Sequence, residues 1–231
     1  MKVILGMLAH NDAFLLPRIL PLLMPYFDHT VVGYSESTDD TKEILDATNA
    51  IVAEIAFSNN WAEARNAVIK VSEHIGGSYL LMLDSDEAML KSDLDMLRLE
   101  FGAVGSMAMA FLYPRYEFVD DFEHYDPSLY PDYQARGFPL GQEFYYSGAT
   151  HEQLCREGKV CSRVNGGYLK SKRHVFHYGK CKPTAEVALK YHNYDRLKNG
   201  LELVKELPPG FVIPETWAPG HKTKFEGPKP W

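Results

Sequence analysis

At 231 residues, with 45% hydrophobic and 24% charged side chains, the chain is long enough for one α/β domain with a buried core and too short for two well-separated catalytic domains. A formal net charge of −7 excludes a general nucleic-acid-binding role, because displacing counterions from phosphates needs a basic face. An anionic ligand would need help here, such as a divalent cation held by carboxylates.

The first apolar run, Val3 to Ala9, is broken by His10-Asn11-Asp12. It falls short of a signal peptide and of a membrane span, which needs about 20 apolar residues. Cys155, Cys161 and Cys181 cannot all pair within one chain and lack C-x-x-C spacing. They read as reduced thiols, so the expected location is cytoplasmic, with a peripheral place at a membrane surface left open. No pattern reports on oligomeric state.

Lys2 to Leu8 predicts a strand, and Phe14 to Phe27 a helix that Pro17, Pro21 and Pro25 shorten or kink. Thr30 to Tyr34 is a second strand, followed by capping groups at Ser37-Thr38-Asp39-Asp40-Thr41 and a helix over Lys42 to Ala47. Ile51 to Phe57 is a third strand, and Asn60 with Glu63 makes a capping-box-like start for a helix through Ile75. Tyr79 to Leu83, apolar throughout, predicts a centrally buried strand that ends on Asp84. This alternation predicts a mostly parallel sheet covered on both faces, with ligands at the carboxyl ends of its strands.

Met107 to Tyr113 is a further strand. From Tyr116 to Tyr146 the chain is dense in aromatics, Asp, Pro and Gly and predicts long loops. Thr184 to Leu207 returns to helical period, with Val187, Tyr191, Tyr194, Leu197, Leu201 and Val204 on one stripe, and Pro208-Pro209-Gly210 ends it. Pro214 to Trp231 reads as an irregular arm.

Asp84-Ser85-Asp86 carries the chemistry. Side chains two apart in an extended segment point the same way, so the two carboxylates could share Mg2+ or Mn2+, ions that prefer oxygen. A lone D-x-D is often a solvated acidic turn, but Leu81-Met82-Leu83-Asp84-Ser85-Asp86-Glu87-Ala88, behind a buried strand, is a much rarer pattern.

Four motifs then resemble family-2 glycosyltransferases, in family order over the first ninety residues. Leu8-Ala9-His10-Asn11-Asp12 with Leu15-Leu16-Pro17 is similar to their opening, and Glu36-Ser37-Thr38-Asp39-Asp40-Thr41 to their S-T-D-G-T loop. Trp61-Ala62-Glu63-Ala64-Arg65-Asn66 is similar to their aromatic-x-x-x-R-N element, and Leu83 to Glu87 to their D-x-D-E. Tyr130-Pro131-Asp132-Tyr133-Gln134-Ala135-Arg136, Ala149-Thr150-His151-Glu152 and Val175-Phe176-His177-Tyr178 resemble segments of the bacterial branch that includes lipopolysaccharide-core glucosyltransferases.

The resemblance implies a GT-A fold: a Rossmann-like, mostly parallel central sheet flanked by helices, with a loop-rich C-terminal acceptor part. Residues 1–231 would form one domain, 1–105 binding the nucleotide sugar and 106–231 the acceptor. The implied reaction moves a sugar, with inversion, from a nucleotide-diphosphate sugar (a UDP-sugar in the first place) to a hydroxyl of a carbohydrate or other acceptor.

In that reaction Asp86 with Asp84 would hold Mn2+ or Mg2+ as a Lewis acid on the leaving diphosphate, and His177 would add a ligand or a diphosphate contact. Ser85 lies between the two carboxylates. Arg65 would reach the diphosphate or sugar edge; its bland alternative is a salt bridge with Glu63 or a neighbouring helix. His10, Asn11 and Asp12 would line the nucleotide edge with Thr38 and Asp39, unless they merely cap. Tyr34 stands where the family has an aspartate that touches base or ribose, which leaves the base open. Glu152, beside His151, is the candidate general base for the acceptor hydroxyl.

Two other functions compete. A nucleotidyltransferase needs a Gly-rich, basic loop after its first strand, and Ala9-His10-Asn11-Asp12 has neither glycine nor arginine. A non-catalytic nucleotide-sugar or carbohydrate binder would suit the Tyr34 departure, but not the intact D-S-D-E and H-E elements.

Overall fold

The computed structural model describes residues 1–105, 107–182, 184–202, 204, 206–209 and 222–231. β1 (Val3–Ala9) is buried along its whole length. α1 (Leu16–Leu23) carries Pro17 in its first turn and Pro21 inside, and a 3-10 turn at Met24–Tyr26 replaces the last part of the longer helix expected there. β2 (His29–Tyr34), α2 (Thr41–Asp46), β3 (Ile51–Glu54), α3 (Trp61–His74) and β4 (Tyr79–Asp84) follow in turn. The N-cap of α3 forms, with Asn60 Oδ1 accepting from Glu63 N at 3.3 Å, while Glu63 Oε1 takes the Asn60 side-chain Nδ2 at 2.9 Å in place of the backbone N–H of a full capping box.

These four strands lie in the order β3-β2-β1-β4, all parallel, as in half of a dinucleotide-binding sheet. Both faces are covered. Leu5 and Met7 pack with Leu20 and Phe101 on one side, while Ile4 and Leu8 pack with Val68 and Met82 on the other. Gly33 permits the close approach of α3, since a Cβ there would stand 2.8 Å from Val68 Cγ2.

The chain continues through β5 (Glu87–Met89), α4 (Lys91–Asp95), α5 (Leu97–Val104), β6 (Ala110–Val119), β7 (His124–Tyr125), β8 (Asp132–Pro139), β9 (Tyr145–Ser147), β10 (Gln153–Arg156), β11 (Lys159–Val160), β12 (Tyr168–Lys170), β13 (Val175–Lys180), α6 (Thr184–Lys198) and β14 (Thr223–Lys224). β8 inserts between β4 and β6, antiparallel to both. β13 runs parallel to β6 and antiparallel to β5. β9, β10 and β11 form a small separate sheet.

The stretch Tyr116 to Tyr146, expected as long loops, thus supplies the end of β6 and all of β7 and β8. Its pattern was hidden because β6 begins as a run buried on both faces, Ala110 to Tyr113, and alternates charged with aromatic side chains only towards its end. Arg115 and Glu117 alternate there with Tyr116 and Phe118, and strand periodicity places the two pairs on opposite faces.

α6 ends at Lys198, short of Leu207, and Gly200 at φ +68 follows it in the left-handed conformation that favours glycine. The side chains of Tyr194 and Leu197, Gly210 and the arm from Pro214 to His221 lie outside the described residues. The end of the arm is docked, with β14 pairing with β7 and Phe225 set among Tyr116, Phe118, Tyr125 and Phe176. The cysteines are free and buried, and no helix among the described residues is long and apolar enough to cross a membrane.

Candidate functional site

β4 stops at Asp84 and the chain turns through Ser85 and Asp86, so strand alternation no longer governs where the second carboxylate points. Asp84 Oδ1 accepts from Arg65 Nη2 at 2.5 Å and Oδ2 from Arg136 Nη2 at 2.9 Å. Asp86 meets different partners, with Oδ1 3.2 Å from His177 Nε2 and Oδ2 3.3 Å from Lys190 Nζ. The two carboxylates expected to share one ion thus face different partners, and Asp84 gives both oxygens to arginines. Three contacts fix the turn. Glu87 Oε2 accepts from Asp84 N at 3.1 Å, Tyr178 N donates to Asp86 O at 2.8 Å, and Ser85 Oγ donates to Asp12 Oδ2 at 2.5 Å.

Alternating charges connect the two ends of the site. Glu152 Oε1 accepts from Arg65 Nε at 2.6 Å, Arg65 binds Asp84, and Arg136 joins Asp84 to Glu87 Oε1 at 2.6 Å. Arg115 joins Glu87 at 3.2 Å to Glu117 at 3.7 Å, and Glu117 holds His177, which faces Asp86. Unpaired, any of these buried charges would be costly, and each neutralises its neighbours. Arg65 is 5% exposed and bridges Asp84 and Glu152, with Nη1 buried and outside both ion pairs. The Glu63 alternative fails, because Glu63 is bonded to Ser58 and Asn60. Glu152 has Oε1 committed to Arg65, which leaves Oε2 outside that ion pair.

His177 Nδ1 lies 2.7 Å from Glu117 Oε2. An ionised carboxylate can only accept, so Nδ1 carries a proton, and with the ring held as an imidazolium Nε2 carries one too and faces Asp86, to be given up if a cation is to bind there. Burial alone would lower the pKa of His177, but Glu117 and Asp86 outweigh it and raise it to about 9. Burial likewise pushes Glu117 up, and His177 with Arg115 and Lys180 overcomes it, bringing Glu117 to about 2. Asp86 is held well below its ordinary value against burial, by Lys190 and His177.

Among the described residues no three or more His, Cys, Asp or Glu side chains converge as a cage for a metal. Asp86 and His177 nevertheless fit one. Asp86 Oδ1 is buried, 3.2 Å from His177 Nε2. Two ligands at about 2.1 Å from one ion and at right angles stand about 3 Å apart. Gly179 keeps this space open, since a Cβ there would stand 2.7 Å from Asp86 Oδ2 and 2.8 Å from His177 Nε2. Such a site suits an ion that takes its remaining ligands from phosphate and water, as Mg2+ commonly does.

The loops after β1 and β2 are laced together beside this centre. Asn11, at φ 53, accepts from Thr38 N at 2.8 Å through Oδ1 and donates its backbone N–H to Ser37 Oγ at 3.1 Å. The Tyr34 hydroxyl accepts from Ser37 N at 3.1 Å. Asp39 accepts from Thr41 Oγ1 at 2.5 Å and from Ala13 N at 3.0 Å. Asp12 is buried, bonded to Ser85, His10 N and Lys182, so it braces the site rather than displaying a carboxylate. His10, Thr38 and Asp39 are exposed at the edge.

Sequence reasoning gave no role to Arg115, Glu117, Gly179, Lys182 or Lys190, and it knew Arg136 only as part of a motif. The signal available was Arg115 and Glu117, two charges at alternate positions in an otherwise apolar strand. Two clefts, of about 390 and 470 Å3, share no lining residue with the Asp86 centre.

No family model matches the chain, and no curated protein does. Among solved structures, S. aureus TarS 1-349 is 14% identical with TM-score 0.48, over 85% of this chain and 64% of that one. The same protein in complex with UDP-GlcNAc is 21% identical with TM-score 0.42, over 50% and 35%. Glucosyl-3-phosphoglycerate synthase from Mycobacterium tuberculosis, in complex with Mn2+, UDP and phosphoglyceric acid, is 18% identical with TM-score 0.41, over 49% and 43%. The chain spans less than two thirds of the length of each. Likeness at this level assigns neither a family nor a substrate.

Proposed function

We propose that this chain is a divalent-cation-dependent glycosyltransferase of the GT-A type, moving a sugar from a nucleotide-diphosphate sugar to an acceptor hydroxyl with inversion. The observation that carries the reading is the buried Asp86 Oδ1 facing His177 Nε2 at 3.2 Å where the parallel strands end, within the D-S-D-E motif. In open α/β sheets that end of the strands is where ligands bind. The motif resemblance favours a UDP-sugar.

Asp86 and His177 would hold Mn2+ or Mg2+, which when bound supplies the charge that stabilises a departing diphosphate. Once His177 gives up its Nε2 proton to an entering cation, Glu117 would hold the remaining proton on Nδ1 and so keep the tautomer that offers Nε2. Asp84, held by Arg65 and Arg136, anchors the end of β4. Asp12 and Ser85 brace the turn, while His10, Asn11, Tyr34, Thr38 and Asp39 form the nucleotide edge. Glu152 would take the acceptor proton through Oε2, its other oxygen being fixed by Arg65. The commitment of Oε1 to Arg65 is also what favours the second reading, a non-catalytic binder.

A thermal-shift panel of nucleotide sugars, with and without Mn2+, tests the proposal, because a ligand bound only by the native state raises its stability. Stabilisation by a UDP-sugar that needs Mn2+ and is lost in Asp86→Ala supports it. Hydrolysis or transfer of that donor separates the enzyme from the binder.

A further inference from the structure

Two ammonium groups converge on the acidic centre from the segment that ends β13 and begins α6. Lys182, in the turn before α6, pairs with Asp12, and both side chains are buried. Lys190, in the second turn of α6, reaches Asp86 Oδ2 at 3.3 Å. The two ends of this second pair differ: the Lys190 side chain is 39% exposed and that of Asp86 is 6% exposed. The carboxylate is rooted while the ammonium arrives from the solvent side on a flexible stem. At 3.3 Å the contact exceeds the 2.7–2.9 Å of a strong charge-assisted hydrogen bond.

Asp86 is also the carboxylate assigned above to the cation, and the inference rests on that reading. An ammonium and a divalent ion on one carboxylate repel each other, so loading the site drives Lys190 off Asp86 Oδ2. A diphosphate on the cation brings negative charge to the same place, and lysine is a mobile point charge suited to phosphate. We propose that Lys190 is a diphosphate-binding residue that rests on Asp86 while the site is empty and moves to a phosphoryl oxygen when cation and nucleotide enter. Lys182, locked on Asp12, stays in place as a fixed positive charge beside them.

The role predicts effects of opposite sign. In calorimetric titrations, Lys190→Gln should bind Mn2+ alone about two- to fivefold more tightly, the scale of a partly exposed ion pair removed. In saturating Mn2+ the same variant should bind UDP about fivefold or more weakly, and Lys190→Arg should restore most of the UDP affinity. A residue that only holds α6 in place would not tighten Mn2+ binding. Unchanged or weaker Mn2+ binding, or unchanged UDP binding, overturns the role of Lys190.

Asp86→Asn, titrated in parallel, separates the two levels. If it abolishes Mn2+ binding while Lys190→Gln alters neither ligand, the cation site stands and the lysine role falls. If the unaltered protein binds no Mn2+, both fall together.

Discussion

His177 and Glu117 stand opposite each other on the parallel strands β13 and β6, with Nδ1 2.7 Å from Oε2. The pairing register delivers the carboxylate to one ring nitrogen and aims the other at Asp86. Outer partners of this kind typically contribute tenfold or more to metal affinity. Glu117→Gln is accordingly expected to weaken Mn2+ binding about tenfold. Calorimetry with Mn2+ alone checks it, and unchanged affinity would show that the pair serves only the fold.

Asp86→Ala should abolish metal-dependent nucleotide binding and leave the protein folded, because the carboxylate lies in a turn at a strand end and serves the ligand. Circular dichroism together with titration of UDP, with and without Mn2+, decides this. Metal-dependent binding that survives the substitution would remove the centre of the functional proposal.

Gly179→Ala puts a methyl group 2.7 Å from Asp86 Oδ2 and 2.8 Å from His177 Nε2, so one of them must move. A cost of about 1–3 kcal/mol, typical of overpacking, should accompany weaker Mn2+ binding. Chemical denaturation and titration read the two effects separately, and a fully native variant on both counts contradicts the tight approach described here.

Arg65→Ala strips the buried bridge between Asp84 and Glu152 and leaves their partly buried carboxylates short of a partner. Breaking a buried pair in this way costs about 3–5 kcal/mol. The loss should appear as a lower denaturation midpoint rather than as a selective loss of donor affinity. A stable variant with weakened donor binding would support the direct diphosphate contact expected from the motif alone.

Glu152→Gln keeps the shape of the side chain and removes its basicity, so turnover should fall about a hundredfold or more while donor affinity stays near normal. Steady-state rates and titration of the donor measure both. Near-normal turnover would turn the search to Asp120, Asp121, Asp126 and Asp132, of which Asp132 joins the same network through Arg115 at 2.6 Å.

The parallel strands β1 to β4, the Asn60 N-cap and the end of β4 at Asp84 were all legible in the sequence. Each depends on neighbours a few residues away: apolar runs, a cap three residues from its partner, a polar break after a strand. The candidate site was legible only as a set of motifs. Asp84 and Asp86 look equivalent in sequence, and their separation arises because the strand ends between them and the packed elements offer each a different partner. Arg136 lies 52 residues from Asp84, Glu117 60 from His177, and Lys190 104 from Asp86. No local pattern records such pairs. They form because β8, β13 and α6 assemble around β4 and β6, and because charges buried by that assembly must find opposite charges wherever the fold places them.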